Sequence, residues 1–365
     1  MKICIFSCYY PLIKGGAEYQ SKLLALEMKD DHSVFFISVG HDNEEIIYDD
    51  NIKIYCLKRT TLTEGLLLYY PFSKKMGAIL SEEKPDIIYQ RVLNSFSYHL
   101  SNFSIKNRIP FFLHIADNYC LSFNRSARSI VRRAMFSSIV ANKTNFITQT
   151  KLQNALLARF GVTPILQIHN LHKLPDEIKN RASREKNTII WIGSARKIKQ
   201  LELFIKLANL FSNNDNLEFV IIGRIDNTSY GESLKSEINL ASNLTYLGEQ
   251  TNDFVNSYLT NAFLLVNTSV SEGFSNTFIQ AWMRGVPVIS LNSDPDDIIR
   301  EYDLGRICDG DFINLKNSID TFFNNRSQYL ETSQRCISLS REMFSMEVNG
   351  YKLKNALGIG KEVNQ

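Results

Sequence analysis

The segment TSVSEGFSNTFIQAW at residues 268–282 sets a carboxylate and a glycine in front of a helical pattern. Glu272 and Gly273 lead into Phe274, Ser275 and Asn276, whose backbone N–H groups stand at a helix start and can meet an anion. Gln280 follows Glu272 by eight residues, a little over two helical turns, so both side chains can face one ligand. A second set lies in IIWIGSARKIK at residues 189–199, where a turn at Gly193 precedes Arg196 and Lys199. A guanidinium and an ammonium spaced this way at the end of a buried strand can jointly hold a diphosphate. A solvated helix start is the plainer alternative, and Lys197 fits it. Gly15 and Gly16 form a third set, because two glycines before a helix let backbone approach a phosphate closely. An ordinary glycine turn would look the same. The spacing is not G-x-G-x-x-G and the loop is too long for a tight dinucleotide turn, which disfavours a nicotinamide dehydrogenase.

These residues need elements to position them. Short apolar runs of strand length recur between amphipathic stretches: KICIFS, SVFFISV, DIIYQ, PFFLHIA, then NTIIWIG, LEFVIIG, LTYLG, AFLLVNT and PVISL. They are apolar on both faces and separated by helix-length segments, the pattern of parallel strands covered by helices on both sides. The fold class expected is α/β, with two doubly wound, Rossmann-like domains. The chain has 365 residues, and about 150 residues per domain agrees with two. A polar stretch at residues 169–187 places the boundary near 175. Domains are expected over 1–175 and 176–345, with a C-terminal helix at 346–365 packing back on the first. In open parallel sheets ligands sit beyond the carboxyl ends of the strands. His114, after PFFL, stands at such a place, as do Gly223 and Arg224 in FVIIGR, which can frame a base together with residues 246–248. Asp117 is close enough in sequence to partner His114.

Composition closes off other classes. Apolar residues make up 44% and charged residues 22%, values of an ordinary globular protein rather than a disordered or collagenous chain. Six cysteines without a C-x-x-C pair argue against a zinc ribbon or a disulfide scaffold and suit a reducing cytoplasm. The start MKICIFSCYY reads as a strand rather than a signal peptide, so no export is expected. The longest apolar stretches fall far short of the roughly 20 residues that span a bilayer. Residues 1–175 hold 21 Lys+Arg and 14 Asp+Glu, giving +7, against 20 and 24 in residues 176–365, giving −4. The first half therefore suits an anionic partner. Its cations concentrate between residues 125 and 151, where Arg125, Arg128, Arg132 and Arg133 interleave with Ile130, Met135 and Phe136. At spacings of three and four, Arg125, Arg128 and Arg132 share a helical face, which can rest on an anionic bilayer or simply be solvated. Without an aromatic stacking platform, nucleic acid is not expected.

Taken together, residues 11–18 (P-x-x-x-G-G-A-E), FFLHIADNY around His114, HN at Asn170, WIGSARKIK, FVIIGR and EGFSNTFIQAWMRGVPVIS resemble glycosyltransferase family 4, the retaining sugar-nucleotide transferases of GT-B fold. The resemblance covers nearly the whole chain. It implies two domains facing across a cleft, a UDP- or GDP-sugar as co-substrate, and a hydroxyl acceptor on a glycan, lipid-linked in surface polysaccharide synthesis. It implies no cofactor and no metal, and a cytoplasmic enzyme, peripheral on the inner membrane face. By resemblance Glu272 stands beside the donor sugar, His114 lies close to the sugar and diphosphate, and Lys199 with Arg196 takes the diphosphate charge. The family's Glu-x₇-Glu motif ends here in Gln280, an amide that can still hydrogen-bond a ribose hydroxyl. Where many members carry an arginine after the strand glycine, this chain has Ser194, so Arg196 takes the cation role. Two other readings remain open. A sugar-nucleotide epimerase shares the fold but needs acid/base carboxylates, of which only Glu272 is well placed. A non-catalytic subunit would explain Gln280 and Ser194 as marks of a degenerate site.

Overall fold

The computed structural model describes residues 1–58, 70–176 and 187–360. The part of the expected boundary stretch at residues 177–186 lies outside the described residues. The chain divides into two compact units, one of Met1–Leu171 joined by the chain from Met346, the other of His172–Ser345. The division thus falls four residues before the position read from the sequence.

The first unit is built on strands β1 (Lys2–Phe6), β2 (Ser33–His41), β3 (Glu45–Asp49), β4 (Ile52–Lys58), β5 (Ile87–Arg91), β6 (Phe111–His114), β7 (Asn145–Thr148) and β8 (Leu166–Gln167). Its helices are α1 (Gly16–Met28), α2 (Tyr70–Glu83), α3 (Ser95–Asn107), α4 (Ala127–Ala141) and α5 (Lys151–Ala158). The strands form one eight-stranded sheet in the order β3-β4-β2-β1-β5-β6-β7-β8. All pairings are parallel except β3 with β4. That hairpin is a departure from the strict strand–helix alternation read from the sequence. Asp50 and Asn51 join it with φ of 52° and 64°, the paired left-handed conformation that tight hairpins need.

The second unit carries β9 (Asn187–Ile192), β10 (Leu217–Ile222), β11 (Leu244–Tyr246), β12 (Leu264–Asn267), β13 (Val288–Ser290) and β14 (Gly305–Ile307). Between and after them run α6 (Leu201–Leu210), α7 (Ser229–Leu240), α8 (Asn252–Asn261), α9 (Asn276–Trp282), α10 (Ile298–Glu301), α11 (Phe312–Asn324) and α12 (Arg326–Phe344). The six strands are all parallel, in the order β11-β10-β9-β12-β13-β14. Alternate residues of one strand go to opposite faces, and both faces are covered. Ile189, Trp191, Phe219 and Ile221 join one buried cluster and Ile190, Val220 and Ile222 the other. Helix starts are closed by side chains: Thr228 accepts from the Gly231 N–H and Thr251 from that of Phe254, contacts worth about 1 kcal/mol each.

After α12 the chain returns to the first unit as α13 (Met346–Ala356). Met346, Leu353, Leu357 and Ile359 pack with Ile3, Ile5 and Phe36, and Lys354 Nζ lies 2.8 Å from Glu27 Oε1. Among the described residues no helix is long and apolar enough to cross a membrane.

In each sheet the strand order reverses once beside the strand that comes first in the unit, between β1 and β5 and between β9 and β12. Connections leave the two neighbouring strands there in opposite directions, so the loops diverge and open a crevice at the carboxyl ends.

Candidate functional site

In the second unit the reversal point brings two loops together. After β9 the chain passes through Gly193 and Arg196 into a single 3₁₀ turn, Lys197–Lys199. After β12 it runs through residues 268–275 into α9. Thr268 Oγ1 donates to the Lys199 carbonyl at 2.7 Å, and the Val270 N–H donates to the Ile198 carbonyl at 2.9 Å. Knitted in this way, the loops place Lys199 Nζ 2.6 Å and 2.8 Å from the two carboxylate oxygens of Glu272. Glu272 Oε1 also accepts from Ser269 Oγ at 2.6 Å and from Asn267 Nδ2 at 3.0 Å, while its own N–H donates to Ser293 Oγ at 3.1 Å. Burial pushes this carboxyl up. The Lys199 charge and the hydrogen bonds from Lys199, Ser269 and Asn267 outweigh that and hold it below its ordinary value. Glu272 is thus an anion at neutral pH, an acceptor with no proton to give. Asn267, Ser269 and Ser293 were missed in the sequence; the small polar residues directly after the AFLLV run were their signal.

The other residues expected here fall into different situations. Arg196 is exposed beside the 3₁₀ turn, as is Lys197. Gly223 is held at φ +146°, and a Cβ there would lie 1.8 Å from the Gly193 carbonyl oxygen. Its glycine is required by the close approach of two strand ends, a packing reason that needs no ligand. Arg224 points to the surface and pairs with Asp226 at 2.8 Å. Phe274 is 6% exposed and packs on Phe344 in the core, so its side chain serves the fold. Ser275 caps α9 without a side-chain bond to a helix N–H and instead meets the Thr277 side chain at 2.9 Å (Oγ to Oγ1). Asn276 Oδ1 lies 3.1 Å from His172 Nε2. The helix behind Gly273 is short, with only 7 residues. Gln280 departs from the shared-ligand expectation. It is 2% exposed, and its Nε2 donates to Asn256 Oδ1 at 3.0 Å and to Asn252 Oδ1 at 3.3 Å, so in this structure its amide nitrogen is held by α8.

In the first unit the reversal point again gathers polar groups. Gly15 caps α1 in extended backbone, but the helix start is not open: the Glu18 carboxylate folds back over it, close enough that a Cβ on Gly15 would lie 2.0 Å from Glu18 Oε2. Gly16 is the first residue of the helix. Burial pushes the Glu18 carboxyl up, against its own backbone N–H and the charge of Arg91. Arg91 ends β5 and is 5% exposed. Its Nη2 donates to Asn170 Oδ1, which also accepts from Gln149 Nε2. His114 ends β6, 1% exposed, with Nδ1 2.8 Å from Tyr89 Oη and 3.3 Å from Arg91 Nη1. Burial and then the Arg91 charge push the imidazole well below its ordinary pKa, so it is neutral. Val92, directly after Arg91, has φ 76°, a conformation that strains a β-branched residue by about 1–3 kcal/mol. Tyr89, Arg91 and Glu18 were missed; DIIYQR carries a cation straight after an apolar run, which was the available signal. Asp117 does not partner His114, since its Oδ1 accepts from the Tyr119 N–H at 2.9 Å and caps a turn.

The basic segment also differs from its expectation. Helix α4 starts at Ala127 with Ser126 as its cap, so Arg125 precedes the helix and does not share a face with Arg128 and Arg132. Arg132 donates to the Cys120 carbonyl at 3.0 Å and lies over Phe123, and Arg133 lies over Phe160. Arg125 and Arg128 stay exposed, next to Ile130 at 60% and Val131 at 46% exposure.

Two Rossmann-like domains with polar groups at both strand-order reversals place the chain in the GT-B class of folds, and solved structures agree. It is similar to sucrose-phosphate synthase from Thermosynechococcus elongatus at 14% identity, 97% coverage of each chain and TM-score 0.77. It is also similar to HepE from Anabaena in complex with UDP and glucose, at 16% identity, coverage of 98% and 99% and TM-score 0.75. WaaG, a glycosyltransferase involved in lipopolysaccharide biosynthesis, matches at 14% identity, coverage of 98% and 99% and TM-score 0.72. More particularly, residues 175–343, the stretch holding Arg196, Lys199, Glu272 and Gln280, match the family model for glycosyl transferases group 1.

Proposed function

We propose that the protein is a retaining glycosyltransferase of family 4 that moves a hexosyl group from a nucleoside diphosphate sugar to a hydroxyl of a glycan acceptor. The observation carrying this reading is the Lys199–Glu272 pair at the reversal point of a parallel sheet, inside the segment that matches group 1 glycosyltransferases. An ionised Glu272 accepts hydrogen bonds from sugar hydroxyls and positions the ring. Lys199 and the exposed Arg196 meet the charge that grows on the diphosphate as the anomeric C–O bond to it breaks. The new bond to the acceptor oxygen forms on the same face of the sugar, and the acceptor proton passes to the leaving phosphate oxygen. In this scheme the cations do what a metal would do, and chelator leaves the rate unchanged.

The relative solved with UDP and glucose makes a UDP-sugar the first donor to test. The cations at Arg125 and Arg128, beside exposed Ile130 and Val131, suit an anionic bilayer at about 1 kcal/mol per cation. On this reading the enzyme is cytoplasmic, works at the inner membrane face and uses a lipid-linked acceptor. Sedimentation with anionic vesicles at low salt tests that part, and no binding there removes it.

The main test is ligand-observed NMR of the purified protein against UDP- and GDP-sugars, with Glu272→Ala as control. Saturation transfer to one sugar nucleotide, lost in the variant, is the expected result. Silence across the panel would favour the non-catalytic subunit, to which the engagement of Gln280 by Asn256 lends support.

A further inference from the structure

We propose that Arg91 and Tyr89 hold His114 as the neutral tautomer protonated on Nε2, which makes His114 a hydrogen-bond donor to a ligand oxygen and Arg91 its positioning residue. The strands set up the contact. Arg91 and His114 are direct register partners of β5 and β6, and Tyr89, two residues before Arg91, lies on the same face of β5. Tyr89 Oη is 2.8 Å and Arg91 Nη1 3.3 Å from His114 Nδ1.

A guanidinium has N–H donors and no lone pair to offer. It can face Nδ1 only if that nitrogen carries no proton, and the Tyr89 hydroxyl then donates to the same nitrogen. The proton of the neutral ring must therefore sit on Nε2. Protonating both nitrogens would bury a second positive charge beside Arg91 in a site only 1% exposed, which low-dielectric surroundings oppose. Arg91 cannot simply swing away to relieve this arrangement. Its Nη2 is tied to Asn170, and Asn170 is tied to Gln149.

The remaining nitrogen is the informative one. His114 Nε2 is buried and, among the described residues, has no hydrogen-bond partner. As an N–H it can take an oxygen, either a hydroxyl or a phosphoryl oxygen. It has no lone pair with which to remove a proton from an acceptor hydroxyl. His114 is then a fixed donor rather than a general base, and its tautomer is written into the residue pairing of two strands. Which molecule supplies the oxygen rests on the glycosyltransferase reading; the tautomer does not.

Two-bond ¹H–¹⁵N correlation spectra of the full-length protein tell the tautomers apart, and His114→Gln assigns the His114 signals among the 6 histidines. The expected pattern for the wild type, without any substrate, is Nε2–H with a pyridine-like Nδ1. An Nδ1–H pattern, or an imidazolium at neutral pH, overturns the proposal. Arg91→Met is expected to move the ring toward a mixture of tautomers. Should that variant fail to fold, Tyr89→Phe provides the same comparison with the phenolic donor alone removed, and an unchanged His114 spectrum in every folded variant would show that neither residue sets the tautomer. For the donor role, the Gln amide offers an N–H where the imidazole Nε2–H stood. His114→Gln should therefore retain about tenfold or more of the kcat/KM that His114→Ala loses. Equal losses would overturn it. A wild type that turns over no sugar nucleotide would refute the glycosyltransferase reading and leave the spectroscopic answer standing.

Discussion

Lys199 and Glu272 are 73 residues apart in the chain, on loops that follow the adjacent strands β9 and β12, and both carboxylate oxygens lie within 2.8 Å of one ammonium. With side-chain exposures of 17% and 11%, the pair is shielded enough to matter for stability as well as chemistry. Removing either partner alone leaves a shielded charge uncompensated, so Lys199→Met and Glu272→Gln should each destabilise the fold. A double-mutant cycle in urea should return a coupling of about 1–3 kcal/mol. Because the folded carboxyl is held below its ordinary value, its contribution is full above that value and is lost as pH falls through the folded one. The wild type should lose its advantage over Glu272→Gln in that acid range.

Gln280→Glu should cost about 1–3 kcal/mol at pH 7, because a carboxylate would replace an amide that is 2% exposed and donates to two asparagines. Burial would raise the new carboxyl, so part of the loss should return as pH falls and the group takes up its proton. Chemical denaturation at pH 7 and pH 5 checks this; no recovery at the lower pH would mean that the site opens to water.

At Gly223 an alanine should be nearly intolerable. The added Cβ would strike the Gly193 carbonyl oxygen at φ +146°, and a loss of about 3 kcal/mol or more is expected. Gly248 provides the contrast, with φ +70° and open space around its Cβ position, so Gly248→Ala should cost only about 1–2 kcal/mol. Thermal melts of the two variants side by side decide it.

Far from the candidate site, Glu83 receives hydrogen bonds from Lys2, Lys53 and Tyr55. Burial opposes its ionisation, but these partners bring the carboxyl from 4.5 down to about 2. The stability it supplies is therefore present above about pH 4.5 and is lost toward pH 2. Glu83→Gln should be less stable than wild type at neutral pH by about 2 kcal/mol, with the gap closing in acid. An acid titration of both proteins by circular dichroism measures the gap.

Much of this was legible from residue order. Strands such as β9 and β10 announce themselves through the runs IIWI and FVII, because the middle of a parallel strand buried on both faces is apolar. The hairpin did not, since β3 lies at the sheet edge with no buried residue and so no apolar run to mark it; Tyr48 is 70% exposed there.

For the candidate sites, residue order pointed to the loops that follow strands: Glu272 after AFLLV and Lys199 after IIWIG in the second unit, and His114 after PFFL in the first, because strand ends in an open parallel sheet are where ligands bind. Only the tertiary structure decided which of these residues meet. Strand order places β9 beside β12 and β5 beside β6, and order is set by how connections pack helices on the two faces, information spread over the whole chain. Side-chain direction is equally non-local. Gln280 turns to α8 and Arg91 meets His114, because each group found its partner in a segment brought near by folding rather than by sequence.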